Sequence, residues 1–245
     1  MPGTPDISGL SLLFGDPDDY FQPPGPPSFE SFTTRSNRTL SLRLLNSHPL
    51  WGHRLSNSGK HVADFLEENR EDWCRGKRVL ELGAGAALPG IIAALNGAQL
   101  TVITDYPDIE LVENIRYNVE KNIDDPRGKV IVEGYLWGNS PESFLPGEKF
   151  DVLILSDLVF NHSEHAKLIS TCKKTLCREG KILVSFIHHR PYKQAEDLRF
   201  LVLAEEGGFE VEKIYESKMT PMFEEDRGDW DVRATVHGYV FTWKK

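Results

Sequence analysis

The stretch Arg78–Gly90, RVLELGAGAALPG, decides how this chain is read. A short apolar run leads into Gly83 and Gly85, and Pro89 follows, which is the grammar of a strand, a tight turn and a helix. Glycine lets the backbone bend sharply and approach a ligand, and proline suits the first turn of a helix. A dinucleotide loop needs a third glycine three residues after the second. Leu88 stands there instead, so the turn is a poor pyrophosphate cradle.

Two acidic neighbours narrow the choice. Glu81 sits just before the turn, where a carboxylate repels a phosphate and favours a cation. Asp105 closes the next strand, 22 residues after Gly83, the place where an acidic side chain accepts ribose hydroxyls. S-adenosylmethionine carries a ribose, a sulfonium and an ammonium, and no phosphate, and so satisfies both. The plainer readings are a turn that holds no ligand and an Asp105 that caps the helix after Pro107.

Outward from the loop the pattern is regular. Strands are expected at Arg78–Leu82, Leu100–Thr104, Val130–Glu133, Asp151–Ser156 and Ile182–Ile187. Helices are expected at Leu88–Asn96, Asp108–Asn122, Glu164–Cys177 and Tyr192–Glu206, with Asn114 and Asn118 on a polar face. Apolar strands alternating with helices indicate a parallel sheet with crossover connections. The last two strands, Phe209–Tyr215 and Thr235–Trp243, have no helix pattern between them and are expected antiparallel at the sheet edge. Upstream, Leu40, Leu42 and Leu44 alternate as in a strand, and Val62, Phe65 and Leu66 line a helix that ends near Asn69. The segment 1–28 is rich in proline, glycine and aspartate and reads as a mobile arm, leaving residues 29–245 as one domain.

The chain has 245 residues, a formal net charge of −9 and 40% hydrophobic residues, ordinary for one soluble α/β domain. An acidic surface argues against nonspecific nucleic-acid or anionic-membrane binding. No apolar run is long enough to span a bilayer, and no signal peptide is evident. Cys74, Cys172 and Cys177 form no CxxC pair, the usage of reduced thiols in the cytoplasm or nucleus.

The motifs LRLLNSHPLWGHRLSNSG, VLELGAGAALPG, VITDYPDIELVENIRYNV, YLWG, SDLVFNHSEH and TVHGYVFTW together resemble the lysine methyltransferase-like family 16 of seven-stranded, S-adenosylmethionine-dependent methyltransferases. The likeness runs from Leu40 to Trp243. It implies a Rossmann-like seven-stranded α/β fold, mostly parallel, with a C-terminal antiparallel pair. It implies that Trp51 closes over the cofactor, that Gly83, Ala84 and Gly85 line its methionine and ribose, and that Asp105 holds the ribose hydroxyls. Trp137 would stack near the adenine, and Ser156 would complete the pocket. Trp51 and Trp137 also read as plain core aromatics. The sequence departs from the family at Ser56, where relatives usually carry tryptophan.

Within that resemblance the expected substrate is a protein: the N-terminal amine and adjacent lysine of elongation factor 1-alpha. A small-molecule (nicotinamide) N-methyltransferase and a non-catalytic module that keeps the cofactor pocket are the alternatives. The chain is expected to be a cytoplasmic monomer. Methyl transfer requires a neutral amine, and an α-amino group has a pKa near 8. SDLVFNHSEH follows the fourth strand and supplies two catalytic candidates. Asp157 is placed to orient the ammonium or take its proton, and His162 to act as base or to cap the next helix with Ser163. The acidic loop Met222–Asp231 reads as a selector of basic peptide ends or as a solvated hairpin loop. His188 and His189 are neighbours that point opposite ways on an extended chain, and no metal site is expected.

Overall fold

The computed structural model describes residues 26–45, 54–145, 147–222 and 228–245. Nearly all of the expected arm, Trp51 and half of the acidic loop lie outside them.

The described residues open with an antiparallel hairpin, β1 (Ser28–Thr33) and β2 (Thr39–Leu44). Helices α1 (Asn57–Glu68) and α2 (Arg70–Trp73) lead to the alternating region. There follow β3 (Arg78–Leu82), α3 (Leu88–Leu95), β4 (Leu100–Asp105), α4 (Ile109–Asn122), β5 (Val130–Gly134) and β6 (Phe150–Ser156). The remainder is α5 (His165–Thr175), β7 (Leu176–Ile187), α6 (Gln194–Glu206), β8 (Phe209–Lys218), α7 (Trp230–Ala234) and β9 (Thr235–Trp243). The main sheet has seven strands in the order β5-β4-β3-β6-β7-β9-β8. β5, β4, β3, β6 and β7 are parallel, and β9 lies antiparallel between β7 and β8. The strand order reverses between β3 and β6, which opens a crevice at their carboxyl ends.

Both faces of this sheet are covered, as the apolar strands require. Val152 and Ile154 of β6 face one core with Val62, Leu66, Ile91 and Ile92, beside Leu40 and Leu42 of the hairpin. The alternate residues Leu153 and Leu155 face the other, with Leu168, Cys172, Phe200, Phe209 and Phe241. Cys74, Cys172 and Cys177 are free thiols, and burial pushes Cys74 up to about 12.

Four expectations change. β1 pairs along all of β2, although its segment carried no strand expectation. The helix expected to reach Cys177 stops at Thr175, because Leu176 turns extended and begins a long β7. A five-residue helix, α7, interrupts the connection between the last two strands, capped by Asp229 Oδ1, which accepts from Val232 N–H at 3.1 Å. The fourth concerns α4. Asn114, Asn118 and Asn122 are buried, not a solvated face. Asn118 Oδ1 accepts from Arg43 N–H at 2.7 Å while its Nδ2 donates to Arg43 O at 3.0 Å. Asn122 does the same for Ser41, at 2.9 Å in each direction. β2 has β1 on one edge only, and its other edge would leave buried donors and acceptors unpaired. Each asparagine offers one acceptor and an amide donor, so two side chains four apart serve as the missing strand.

Candidate functional site

The turn after β3 is built from left-handed backbone: φ is +60° at Gly83, +56° at Gly85 and +64° at Ala87. At Gly83 a Cβ would also come within 2.5 Å of Leu158 and 3.1 Å of Trp137, so only glycine fits. At Gly85 a Cβ would meet nothing within 4 Å, leaving its backbone open to close approach. Pro89 takes the first turn of α3, as its fixed φ favours. Glu81 does not project freely toward a ligand. It is 1% exposed, and its Oε2 accepts from Gly90 N–H at 2.8 Å under the start of α3. Burial, with Asp105 adding to it, pushes its carboxyl up to about 8 against the pull of the Gly90 bond.

Asp105 ends β4. Its Oδ2 accepts from Gly85 N–H at 2.7 Å and its Oδ1 from Tyr106 N–H at 2.6 Å, which ties the glycine turn to the second strand. The cap of α4 is Asp108, which accepts from Glu110 and Leu111 N–H groups, so the helix-capping reading of Asp105 falls. Trp137 packs against the second core and over Gly83, and so is both a core aromatic and a wall. Ser156 is the last residue of β6, and its buried Oγ has no protein partner. Ser56 caps α1 through its Oγ, accepting from Gly59 N–H at 2.9 Å.

These residues line one cavity of about 440 Å³ at the carboxyl ends of the strands. Gly83, Ala84, Gly85, Asp105, Trp137 and Ser156 share it with Asp157, His162, His189 and Asp197. Residues 54–56 lead into α1 along the same wall, and the Arg54 guanidinium donates to Met222 O at 2.8 Å.

The far end of the cavity is a web of carboxylates and imidazoles. Asp157 has φ +61°, a conformation that aspartate tolerates better than most residues. Its N–H donates to Ser185 O at 2.7 Å, which holds the turn against β7. Asp157 Oδ1 lies 2.9 Å from His189 Nε2. His162 is occupied at both nitrogens, Nε2 on Asp197 Oδ1 at 2.6 Å and Nδ1 on Glu196 Oε2 at 3.0 Å. Neither nitrogen is therefore aimed at the cavity as a free lone pair, which is a poor geometry for a base. Nor does it cap α5 with Ser163: residues 162–164 form a 3₁₀ turn, and Ser163 Oγ donates to Asn161 Oδ1. Asp197 Oδ2 takes His188 Nδ1 at 2.7 Å. The adjacent histidines do diverge, His188 to Asp197 behind the wall and His189 to Asp157 on it. No group of three or more His, Cys, Asp or Glu among the described residues is placed to hold a metal ion.

Sequence reasoning did not single out Asp197 and gave His189 no role. No spacing rule links His189 to Asp157, 32 residues apart, or Asp197 to His162, 35 apart. The charge of the wall also differs from an acidic entrance. Arg54, Lys167, Arg190 and Lys193 line it beside the acids, with Lys167 paired to Glu164 and Lys193 to Glu196.

The crevice at the strand reversal, the glycine turn, the carboxylate ending β4 and the unpartnered Ser156 hydroxyl suit a phosphate-free nucleoside. Fold and site together define an S-adenosylmethionine-dependent methyltransferase. The structure resembles a Streptococcus mutans chain described as a SAM-dependent methyltransferase, with a TM-score of 0.62 at 15% identity, covering 91% of this chain and 57% of that longer one. It also resembles a methyltransferase structure complexed with SAH, with a TM-score of 0.60 at 15% identity, covering 91% of this chain and 58% of the other.

The family is fixed by sequence. The model for the lysine methyltransferase family matches residues 48–206, and the chain belongs to that family. It is 45% identical to the protein N-terminal and lysine N-methyltransferase efm7 of Schizosaccharomyces pombe, covering 97% of this chain and 96% of that one. To the Kluyveromyces lactis enzyme of the same name it is 42% identical, over 97% and 98%. The chain is an S-adenosylmethionine-dependent N-methyltransferase of that family.

Proposed function

We propose that this enzyme methylates the N-terminal amine and the adjacent lysine of elongation factor 1-alpha. The observation that carries this reading is full-length similarity, above 40% identity, to enzymes named for both a protein N-terminus and a lysine. The cavity supports it, because a carboxylate stands beyond the cofactor turn where a cationic amine can be held.

The residues divide the work as follows. Gly83, Ala84 and Gly85 hold the methionine part of the cofactor against open backbone, and Asp105, already fixed by Gly85 and Tyr106, takes the ribose hydroxyls. Trp137 covers the adenine, and Ser156 donates its free hydroxyl into the pocket. Trp51 is assigned to the same pocket on resemblance alone. S-adenosylmethionine supplies an electrophilic methyl group on a sulfonium. Asp157 orients the incoming amine. His162, held by Asp197 and Glu196, fixes the loop that carries Asp157 and is not assigned as the base. The enzyme acts as a cytoplasmic monomer without nucleic acid in this reading; no helix of the described residues is long and apolar enough to cross a membrane.

A peptide copying the mature terminus of the factor tests the substrate. Mass spectrometry should find methyl groups on its α-amine and on the following lysine, and an α-acetylated copy should lose the terminal ones. Methylation of free nicotinamide with neither peptide modified would overturn the assignment.

A further inference from the structure

We propose that a buried recess behind the cofactor cavity, between α1 and the row Ser156–Ser185–Tyr215, binds water, and that Ser185 and Tyr215 act through that water to position the Ser156 hydroxyl. The inference deepens the assignment of Ser156 to the cofactor pocket and rests on it.

The row follows from strand register. Ser156 of β6 stands opposite Ser185 of β7, Ser185 opposite Gly238 of β9, and Gly238 opposite Tyr215 of β8. Gly238 has no side chain, and a Cβ there would collide with the Tyr215 ring, so that ring lies across β9 and aims its hydroxyl toward Ser185. Burial pushes the phenol up to about 12 and Ser185 pulls it back. The two hydroxyls therefore face each other, short of hydrogen-bond geometry. Helix α1 covers the row. His61 stacks on the Tyr215 ring with centroids 4.2 Å apart, and Phe65 packs on it at 5.7 Å. Ser58, His61 and Phe65 follow the i, i+3, i+7 spacing of one helix face, which puts Ser58 a turn nearer the start of α1.

The polar atoms in this space lack protein partners. Ser58, Ser156, Ser185 and Tyr215 all bury their hydroxyl oxygens, and none makes a hydrogen bond among the described residues. Native structures pair nearly all such groups with protein or with ordered water, because an unpaired buried hydroxyl is costly. The spacing selects water. Neighbouring strands stand about 4.8 Å apart, too far for a direct bond between serines on one face. A bridging water bonds each side at about 2.8 Å and spans that gap. A buried water needs two to four polar partners, and the row supplies them. Room comes from Gly59: α1 presents no side chain there, and even a Cβ would stand 3.8 Å from Ser156 Oγ.

Ser156 is the link to the cofactor. It lines the cavity, whereas Ser58, Ser185 and Tyr215 do not. A hydroxyl has one proton and two lone pairs. Water that donates to Ser156 from behind leaves the serine proton for the cavity, and Ser185 and Tyr215 hold that water. They are positioning residues and do not touch the cofactor.

Two measurements test the recess. Urea unfolding separates a wet recess from a dry one. Tyr215→Phe in a dry recess removes an unpaired polar group and leaves stability equal or higher. With water bound, it strands the water and its other partners, and the unfolding constant should rise about 3–10-fold. Equal or greater stability overturns the proposal. The second measurement is a double-mutant cycle on S-adenosylmethionine affinity, read by calorimetry. Tyr215→Phe should weaken binding about 3–5-fold when Ser156 is present and have no effect in a Ser156→Ala background. An equal loss in both backgrounds, as a general structural defect would give, or a loss in neither overturns the positioning role. Ser185→Ala, a smaller change, should reproduce both results. If Ser156→Ala alone leaves affinity unchanged, the assignment of Ser156 to the cofactor fails and the positioning role with it. The unfolding comparison still decides whether the recess holds water.

Discussion

At the glycine-turn end of the cavity, almost everything that shapes the wall comes from one run of chain, Glu81 to Pro89, closed by Asp105 at the next strand end. At the Asp157 end, the wall is assembled from side chains 32 and 35 residues apart, met through two loops and α6. The first is a backbone device: left-handed glycines, N–H groups and one buried carboxylate. The second is a side-chain device of three carboxylates and three imidazoles. A local backbone site fixes where a ligand lies. A distributed network of side chains can be retuned residue by residue, and that is where proton handling belongs.

The sharpest way to break this contrast is to remove charge at Asp157. Asparagine tolerates the +61° backbone, so Asp157→Asn separates chemistry from strain. Turnover should fall about 10²–10³-fold with cofactor affinity nearly intact. A matching loss of affinity in calorimetry would mean that the two ends are not independent.

Glu81 gives the next largest effect and belongs to the backbone end. Its folded pKa of about 8 lies well above that of an unfolded glutamate, so the folded state keeps a proton that the unfolded state releases. Stability should therefore fall as pH rises from about 4.5 to 8, by several kcal/mol, and level off above. Glu81→Gln preserves an acceptor for Gly90 N–H and should flatten that slope in denaturant titrations. A cation bound nearby favours the ionised carboxylate, so S-adenosylmethionine binding should release protons and tighten over the same rise in pH. Equal proton release by wild type and Glu81→Gln in buffers of different ionisation enthalpy would sink the linkage.

Asp105→Ala should weaken S-adenosylmethionine binding about 10–100-fold, since buried hydrogen bonds to a charged group are worth roughly 1.5–3 kcal/mol. An unchanged dissociation constant in a folded variant would remove Asp105 from the cofactor site. The smallest expected effect tests how the hairpin is tied to the turn. Asn118 Nδ2 also donates to Ala86 O at 3.1 Å, inside the glycine turn. Asn118→Ala should cost about 1–2 kcal/mol in chemical denaturation by stranding the Arg43 and Ala86 groups. A loss below about 0.5 kcal/mol would show that water replaces the amide.

The sequence read well where structure is local. RVLELGAGAALPG carries its strand, turn and helix in adjacent residues, and β3, α3 and β4 form close to where the pattern puts them. It read poorly where partners are distant or elements short. Five residues give α7 too little length for periodicity to register. Leu176 follows a good helical run, and its extension is imposed by pairing with Phe150 of β6. Asn114 and Asn118 count as polar in any amphipathic pattern, yet their partners are backbone groups more than 70 residues earlier. The placement of Glu81 at the turn was legible. Its bond to Gly90 and its raised pKa were not, because both depend on how deeply the fold buries it.

The asparagines of α4 have a further consequence, in the arithmetic of two lattices. Four residues of α-helix rise about 6.0 Å, and two residues of antiparallel strand about 6.8 Å. The steps are close enough for Asn122 to meet Ser41 and Asn118 to meet Arg43 in register. The mismatch accumulates, and a third rung would be out of step by about 1.6 Å. Asn114 behaves accordingly. It does not continue to residue 45 in the same manner but folds back on Arg43, accepting from its Nε at 2.7 Å and donating to its carbonyl at 3.0 Å. A helix can impersonate a strand for two rungs, and the third becomes the stop that fixes how far β2 slides along α4.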